Sequence, residues 1–185
     1  MPQKRKISKE DILSAAFGLA REGGPGALGA RALATRLGTS TQPVFSHFAS
    51  MKGLEAETLK AVEAFYEKRI AAALATAGKP YRAAGLAYIA FAREEPHLFR
   101  WLFMRDRAGE AGPDTGEIAP ILALLQEQHG FSREDAVCFH AEMWIVVHGI
   151  ATMIATGYRV WDEATVTRFL TDFYDGLCRR YGKEL

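Results

Sequence analysis

The stretch from Ala27 to Leu54, ALGARALATRLGTSTQPVFSHFASMKGL, constrains this chain more than any other. Ala30, Leu33, Ala34 and Leu37 fall at i, i+3, i+4 and i+7, the spacing that lines apolar side chains along one helical face. Gly38 follows at once, and a residue free to take positive φ ends such a helix. Ser40 has the side-chain oxygen to cap the next one. Pro43 then falls in a first turn, where an N–H has no helical partner to lose. The short helix expected from Thr41 to Phe48 carries Val44 and Phe48 on one side and leaves Thr41, Gln42, Ser46 and His47 more exposed.

The remaining segments also read as helices. Ser8-x-x-Asp11 caps a first one, with Ile12, Ala15, Ala16, Leu19 and Ala20 as its stripe and Gly23-Gly24-Pro25 as its stop. Ser50 caps a long helix to about Ala77, with Leu54, Leu59, Val62, Phe65 and Ile70 among its inward positions, and Gly78-Lys79-Pro80 breaks it. A fifth is expected from Tyr81 to Glu94, with Leu86, Ile89 and Phe91 apolar. Pro96 opens a sixth, PHLFRWLFMR. Asp106 to Thr115, with Gly109, Gly112 and Pro113, reads as a loop before a seventh helix over Glu117 to Gln128. Ser132-x-x-Asp135 opens an eighth that runs to about Gly157. The last starts near Asp162, with Val166, Phe169, Leu170, Phe173 and Leu177 on one stripe. No stretch alternates with period two over a strand's length, and no repeat is visible. The fold expected is all-α, with about nine helices.

The eighth helix asks for company. Phe139, Met143, Trp144, Ile145, Val146, Val147, Ile150, Met153 and Ile154 wrap most of its circumference, and such a helix must be covered on every side. A homodimer in which the last two helices pair with their copies as a four-helix bundle provides that cover.

Composition is that of an ordinary globular chain: 185 residues, 49% hydrophobic and 24% charged, with a net charge of +1. Residues 1–60 hold nine Lys or Arg against five Asp or Glu, an excess of four; the remainder, with 14 against 17, is acidic by three. The basic excess therefore lies with the glycine-turn segment, and Lys4, Arg5 and Lys6 add an arm able to touch phosphate. Cys138 and Cys178 lack metal or redox spacing and read as buried or partly buried thiols. MPQKRKISK lacks a signal-peptide core, and Met143 to Thr156, interrupted by His148, is too short to span a bilayer. A cytoplasmic protein with no membrane partner is expected.

Catalysis and metal chemistry find little footing. GGPG ends a helix instead of joining strand to helix, and no nucleophile pair stands at useful spacing. Cys138, His140 and Glu142 point in different directions on a helix, whereas metal ligands sharing a face need three or four residues between them. No metal, cofactor or catalytic residue is assigned.

A helix, a tight glycine turn and a short helix with a polar front make a helix-turn-helix, whose second helix enters the DNA major groove. The segment ISKEDILSAAFGLAREGGPGALGARALATRLGTSTQPVFSHFASMKGL resembles the N-terminal domain of the tetracycline-repressor (TetR) family, with ALATRLGTS and HF-x-S its most specific parts. EEPHLFRWLFM and WIVVHGIATMIATG resemble the regulatory domain named for its Trp, His and Gly, here Trp144, His148 and Gly149. The resemblance implies a DNA-binding domain over 1–50 and a regulatory, dimerising domain over 51–185. It also implies two reading helices set on a palindromic operator.

Base contacts would come from Thr41, Gln42 and Val44 or Ser46. The Gln42 amide suits adenine N6 and N7, and Thr41 or Val44 suits a thymine methyl. His47 matches a position set against phosphate. Lys52, at the start of the fourth helix, and Arg31 and Arg36, on the second, are further phosphate candidates, although Arg36 reads equally as a solvated surface charge. Ser40 and Phe45 complete the DNA-facing set. Three residues depart from the family pattern: Gly29 replaces a capping Thr, Phe45 a Tyr and Met51 a Lys. Each removes a phosphate-side contact, so operator binding weaker and more salt-sensitive than usual is expected unless the Lys4–Lys6 arm compensates.

The family also implies a small-molecule effector, here hydrophobic or aromatic. Phe65, Tyr88, Phe91, Phe99, Trp101, Phe103, Met143 and Trp144, with Arg105 and His148 as polar groups, are the candidates to line its cavity. They serve equally as a plain core. The function implied is a repressor released by ligand. A ligand-independent regulator, or a helical enzyme acting on a small aromatic substrate, stands as the alternative.

Overall fold

A computed structural model of the chain describes residues 6–106 and 118–183, apart from the Thr76 side chain. Lys4 and Arg5 of the basic arm, most of the Asp106–Thr115 segment and the expected helix start at Glu117 lie outside that range. The described residues form nine α-helices and one 3-10 turn, and none is in a strand. The all-α expectation holds.

The helices are α1 (Lys9–Gly23), α2 (Ala30–Leu37), α3 (Gln42–His47), α4 (Met51–Thr76), α5 (Pro80–Glu94), α6 (Pro96–Phe103), α7 (Ala119–His129), α8 (Arg133–Ala155) and α9 (Glu163–Arg180). Their starts follow the capping residues in the sequence. Ser8 and Asp11 form a reciprocal capping box on α1. Ser50 Oγ accepts from the Gly53 amide at 3.1 Å, Ser132 Oγ from Asp135 at 3.0 Å and Asp162 Oδ1 from Thr165 at 2.7 Å.

The chain forms two compact units. The first comprises residues through Glu67 together with His97–Arg105; the second comprises Lys68–Pro96 and the residues from Asp106 onward. In the first unit α1 packs on α2 and α2 on α3 around Ile12, Ala15, Ala16, Leu33, Val44, Phe48 and Leu54. Phe17 meets Phe65 edge to face at 5.4 Å, and Phe103 meets Tyr66 and Phe99 at 5.0 and 5.1 Å.

In the second unit α8 is central, flanked by α5, α7 and α9. Tyr81, Leu122, Leu125, Phe131, Phe139, Met143 and Cys178 form its core. Length and composition alone would let α8 cross a membrane. Part of its apolar surface is buried, at Phe139, Met143, Val147, Ile150 and Ile154. At Gly85 of α5 an added Cβ would stand 3.4 Å from Val147 Cγ2, an ordinary packing contact between α5 and α8.

Several local expectations change. Ser40 caps nothing; Thr41 occupies the position before α3, without a side-chain cap bond. Cys138 is exposed and only Cys178 is buried. Phe173, expected on the inner stripe of α9, is 53% exposed.

Candidate nucleic-acid interface

The helix-turn-helix is built by two backbone devices. Gly38 sits at φ 62°, ψ 36°, where its amide and that of Thr39 close the last turn of α2 on Thr35 and Ala34. Pro43 lies in the first turn of α3, and the Val44 amide bonds the Thr41 carbonyl at 3.1 Å. The result is a six-residue helix, too short to stand alone and held by what its inner side buries.

That inner side is Val44, wholly buried, with Phe48 just past the helix end. Val44 therefore cannot meet a thymine methyl, and that expectation is withdrawn: its side chain belongs to the core that α1, α2 and α4 share. Gln42, Phe45, Ser46 and His47 are exposed, and Thr41 is half-buried. Phe45, 55% exposed, is the one large apolar group on this front. Ser46 Oγ donates to the Pro43 carbonyl at 2.9 Å, which leaves its lone pairs outward. His47 Nε2 lies 3.1 Å from the Ile7 carbonyl, so the ring donates there and its orientation is set by the chain entering α1.

Around this front, Ser40, Arg31 and Lys52 are exposed, the two cations in the first turns of α2 and α4. A helix N-terminus with unpaired amides and a nearby cation suits an anion. Gly29 precedes α2 in extended backbone with no side-chain cap, as the missing Thr implied. Arg36 is committed elsewhere. Its guanidinium grips both oxygens of Glu22 at 2.8 and 2.9 Å, tying α2 to α1 and holding the Glu22 carboxyl below its ordinary range. The phosphate role entertained for Arg36 is dropped. Sequence reasoning missed this clamp, and Gly18 was the available signal. The Arg36 guanidinium lies over it, where a Cβ would stand 2.8 Å away.

The effector candidates divide between the units. Phe65, Phe99, Trp101, Phe103 and Arg105 belong to the first; Tyr88, Phe91, Met143, Trp144 and His148 belong to the second. Phe91 and Phe99 are fully buried, and Met143 belongs to the second unit's core. Trp144 is 46% exposed, so within one chain it lines the surface and no interior cavity. Its ring stacks on His148 at 4.7 Å and 10°, and the Tyr88 hydroxyl and His148 Nδ1 share a hydrogen bond of 2.9 Å. Burial holds this histidine below its ordinary pKa. His140 pairs with a different tyrosine, Tyr81, at 3.2 Å.

One face of α8 lacks cover. Val137, Cys138, Ala141, Trp144 and Ile145 are exposed along it, with Ile145 at 66%. Phe173 and Gly176 are exposed on α9, which Arg180 fastens to Glu142 of α8 through two bonds of 2.9 and 3.0 Å. An apolar face of this extent is unusual on a lone soluble chain.

Residues 12–58 match the family described as bacterial regulatory proteins, tetR family, and residues 81–175 match the tetracyclin repressor-like C-terminal domain. The chain belongs to the TetR family. The first match runs from α1 into the opening turns of α4 and so contains the whole helix-turn-helix; the second spans α5 to α9. A similar protein is the uncharacterized HTH-type transcriptional regulator Rv0681 of Mycobacterium tuberculosis, 28% identical over 175 residues covering 90% of this chain and 78% of that one. This TetR-family chain is accordingly a DNA-binding transcriptional regulator.

Proposed function

We propose that the protein is a cytoplasmic, dimeric repressor that holds a palindromic operator and releases it when a small hydrophobic or aromatic effector binds. DNA binding is assigned to 1–50 and regulation with dimerisation to 51–185. The observation that carries the reading is the split character of α3, with Val44 locked inward and Gln42, Phe45 and Ser46 presented outward. Gln42 reads adenine, Thr41 and Phe45 lie against thymine methyls or sugar, and Ser46 accepts from an exocyclic amine. His47, Arg31 and Lys52 hold phosphate, which sets register without reading sequence. Two such helices enter successive major grooves about 34–36 Å apart.

The uncovered faces of α8 and α9 support the dimer, joining their copies as a four-helix bundle. Within it the stacked Trp144–His148 pair, bonded to Tyr88, gives the Trp-His-Gly element a structural task. Effector control is a population shift, effective only if the ligand prefers the conformation that does not fit DNA. The helix α4 carries Lys52 near its start and continues to Thr76, so its displacement moves a phosphate contact. The complete burial of Phe91 and Phe99 favours a second reading, a regulator without a ligand, in which these rings are core.

Selection of bound sites from random DNA tests the first part. A palindrome with half-sites about one helical turn apart is the expected product; asymmetric or unenriched pools refute it. Repeating the binding with aromatic small molecules separates the two readings: operator release by a member of the series supports the repressor, and indifference across it supports the ligand-free regulator.

A further inference from the structure

His47, the last residue of α3, has one ring nitrogen committed. Its Nε2 lies 3.1 Å from the Ile7 carbonyl oxygen, and a carbonyl only accepts, so that nitrogen carries a proton whatever the charge of the ring. In the neutral ring Nδ1 then holds a lone pair and can only accept, and so can a phosphate oxygen. We infer that His47 bonds DNA phosphate only as the imidazolium, so that each α3 takes up one proton as it docks. The inference rests on the phosphate role proposed above for His47 and concerns how that contact is regulated.

The ring is exposed, so solvent can supply the proton, and Nδ1 has no hydrogen-bond partner among the described residues. Its charged surroundings are mixed. On α1 the Glu10 carboxyl is held below its ordinary range chiefly by hydrogen bonds from its own amide and Ser8, and to a smaller extent by His47. Asp11 is engaged in the capping box with Ser8. Lys9 stands 5.2 Å over the neighbouring Phe48 ring, but its ammonium is paired with Glu57 of α4 at 2.7 Å. On α2 Arg36 is bound to Glu22 and Arg31 is exposed; Lys52 and Glu55 of α4 and Lys6 beside Ile7 are exposed as well.

Of these, Glu10 and Glu55 favour the cation, while Lys6, Arg31 and Lys52 oppose it. DNA tips that balance. A phosphate at Nδ1 brings both an anion and a charge-assisted bond, and each favours the proton. The contact therefore forms on the acid side of the range in which histidine changes charge and is lost above it, so affinity falls as pH rises.

The test uses the full-length protein with two duplexes, the operator recovered by selection and a random sequence, because a phosphate contact is blind to sequence. At fixed salt, wild-type affinity for both should rise about five- to tenfold per α3 engaged between about pH 8 and about pH 6. His47→Gln keeps a donor for the Ile7 carbonyl but cannot take charge, so it should bind more weakly than the wild type at low pH and lose the rise. His47→Arg, charged throughout, should also lose the rise yet bind more tightly than His47→Gln at high pH. The other histidines are common to all three proteins, so the difference in slope belongs to His47. On the wild type alone, the slope of log affinity against log salt should steepen by about 0.9 per α3 engaged over the same pH change, which decides the matter if a variant does not fold. Equal pH slopes in wild type and His47→Gln, or a salt slope indifferent to pH, would overturn the inference while leaving DNA binding in place. No binding to either duplex at any pH would overturn the DNA-reading role of α3 and this inference with it.

Discussion

The two glycines that flank α2 should respond to substitution with opposite signs, and the structure gives the size of each effect. Gly38 ends the helix at φ 62° with open space around its Cβ position. Gly38→Ala therefore creates no clash, and its whole cost is the left-handed backbone that an L side chain resists, about 1–2 kcal/mol. Asn tolerates this region better, so Gly38→Asn should recover roughly half of the loss. Gly29 precedes the helix at φ −150°, ψ 148°, also in open space, and lacks only a side-chain oxygen. Gly29→Ser should stabilise by a few tenths of a kcal/mol, the usual margin between Ser and Gly at an N-cap. Thermal melts at one fixed protein concentration read both, with a fall of about 2–8 °C for Gly38→Ala and a small rise for Gly29→Ser. The signature expected is Gly29→Ser melting above the wild type, Gly38→Asn below it and Gly38→Ala lowest. Gly38→Ala melting with the wild type would refute the account of how the turn is made.

Three further outcomes are expected. Gln42→Ala should flatten preference at one base pair in each half-site by about 1–3 kcal/mol, read by competition between operator variants, while leaving the melting temperature unchanged; a uniform loss across sequences would place Gln42 on phosphate. Ile145→Glu and Phe173→Glu alter residues already exposed in the single chain, so each should cost the fold under about 0.5 kcal/mol yet halve the mass in sedimentation. Dimers persisting with both changes would move the interface off α8 and α9. His148 is held below its ordinary pKa by burial, so its neutral form stabilises the fold above the unfolded value, and that contribution is lost as pH falls. Melting temperature should drop from about pH 7.5 to about 5.5 and drop less in His148→Gln; an equal slope in both proteins would assign the drop to other groups.

Much of the architecture was readable in order along the chain because its helices carry their own punctuation. Ser8, Ser50, Ser132 and Asp162 each cap where a capping residue precedes a periodic stripe, and Gly38 and Gly130 end helices in the left-handed conformation. What misled was direction across a very short helix. Six residues make under two turns, so although the pattern set Val44 and Phe48 apart from the exposed front, it did not exclude Val44 from base contact, nor did it tell that Thr41 and not Ser40 occupies the position before α3. Long-range pairings were hidden for a different reason. Arg36 with Glu22 and His47 with the Ile7 carbonyl join residues that no local pattern relates. The aromatic residues were countable in the sequence, but their division between two units, and the exposure of Trp144 and Phe173, depend on which faces the packing leaves over.

The anchoring of α3 by Val44 separates two jobs within half a dozen residues. Folding depends on one inward methyl pair and the proline-started turn, while the reading proposed for this helix draws chiefly on Gln42 and Phe45, which face solvent. On that reading Gln42 and Phe45 can be exchanged with little penalty to the scaffold, whereas Thr41, half-buried, and Ser46, bonded to the Pro43 carbonyl, carry part of it. If Gln42 and Phe45 read the operator as proposed, its preferred sequence can change without the protein first passing through an unstable intermediate.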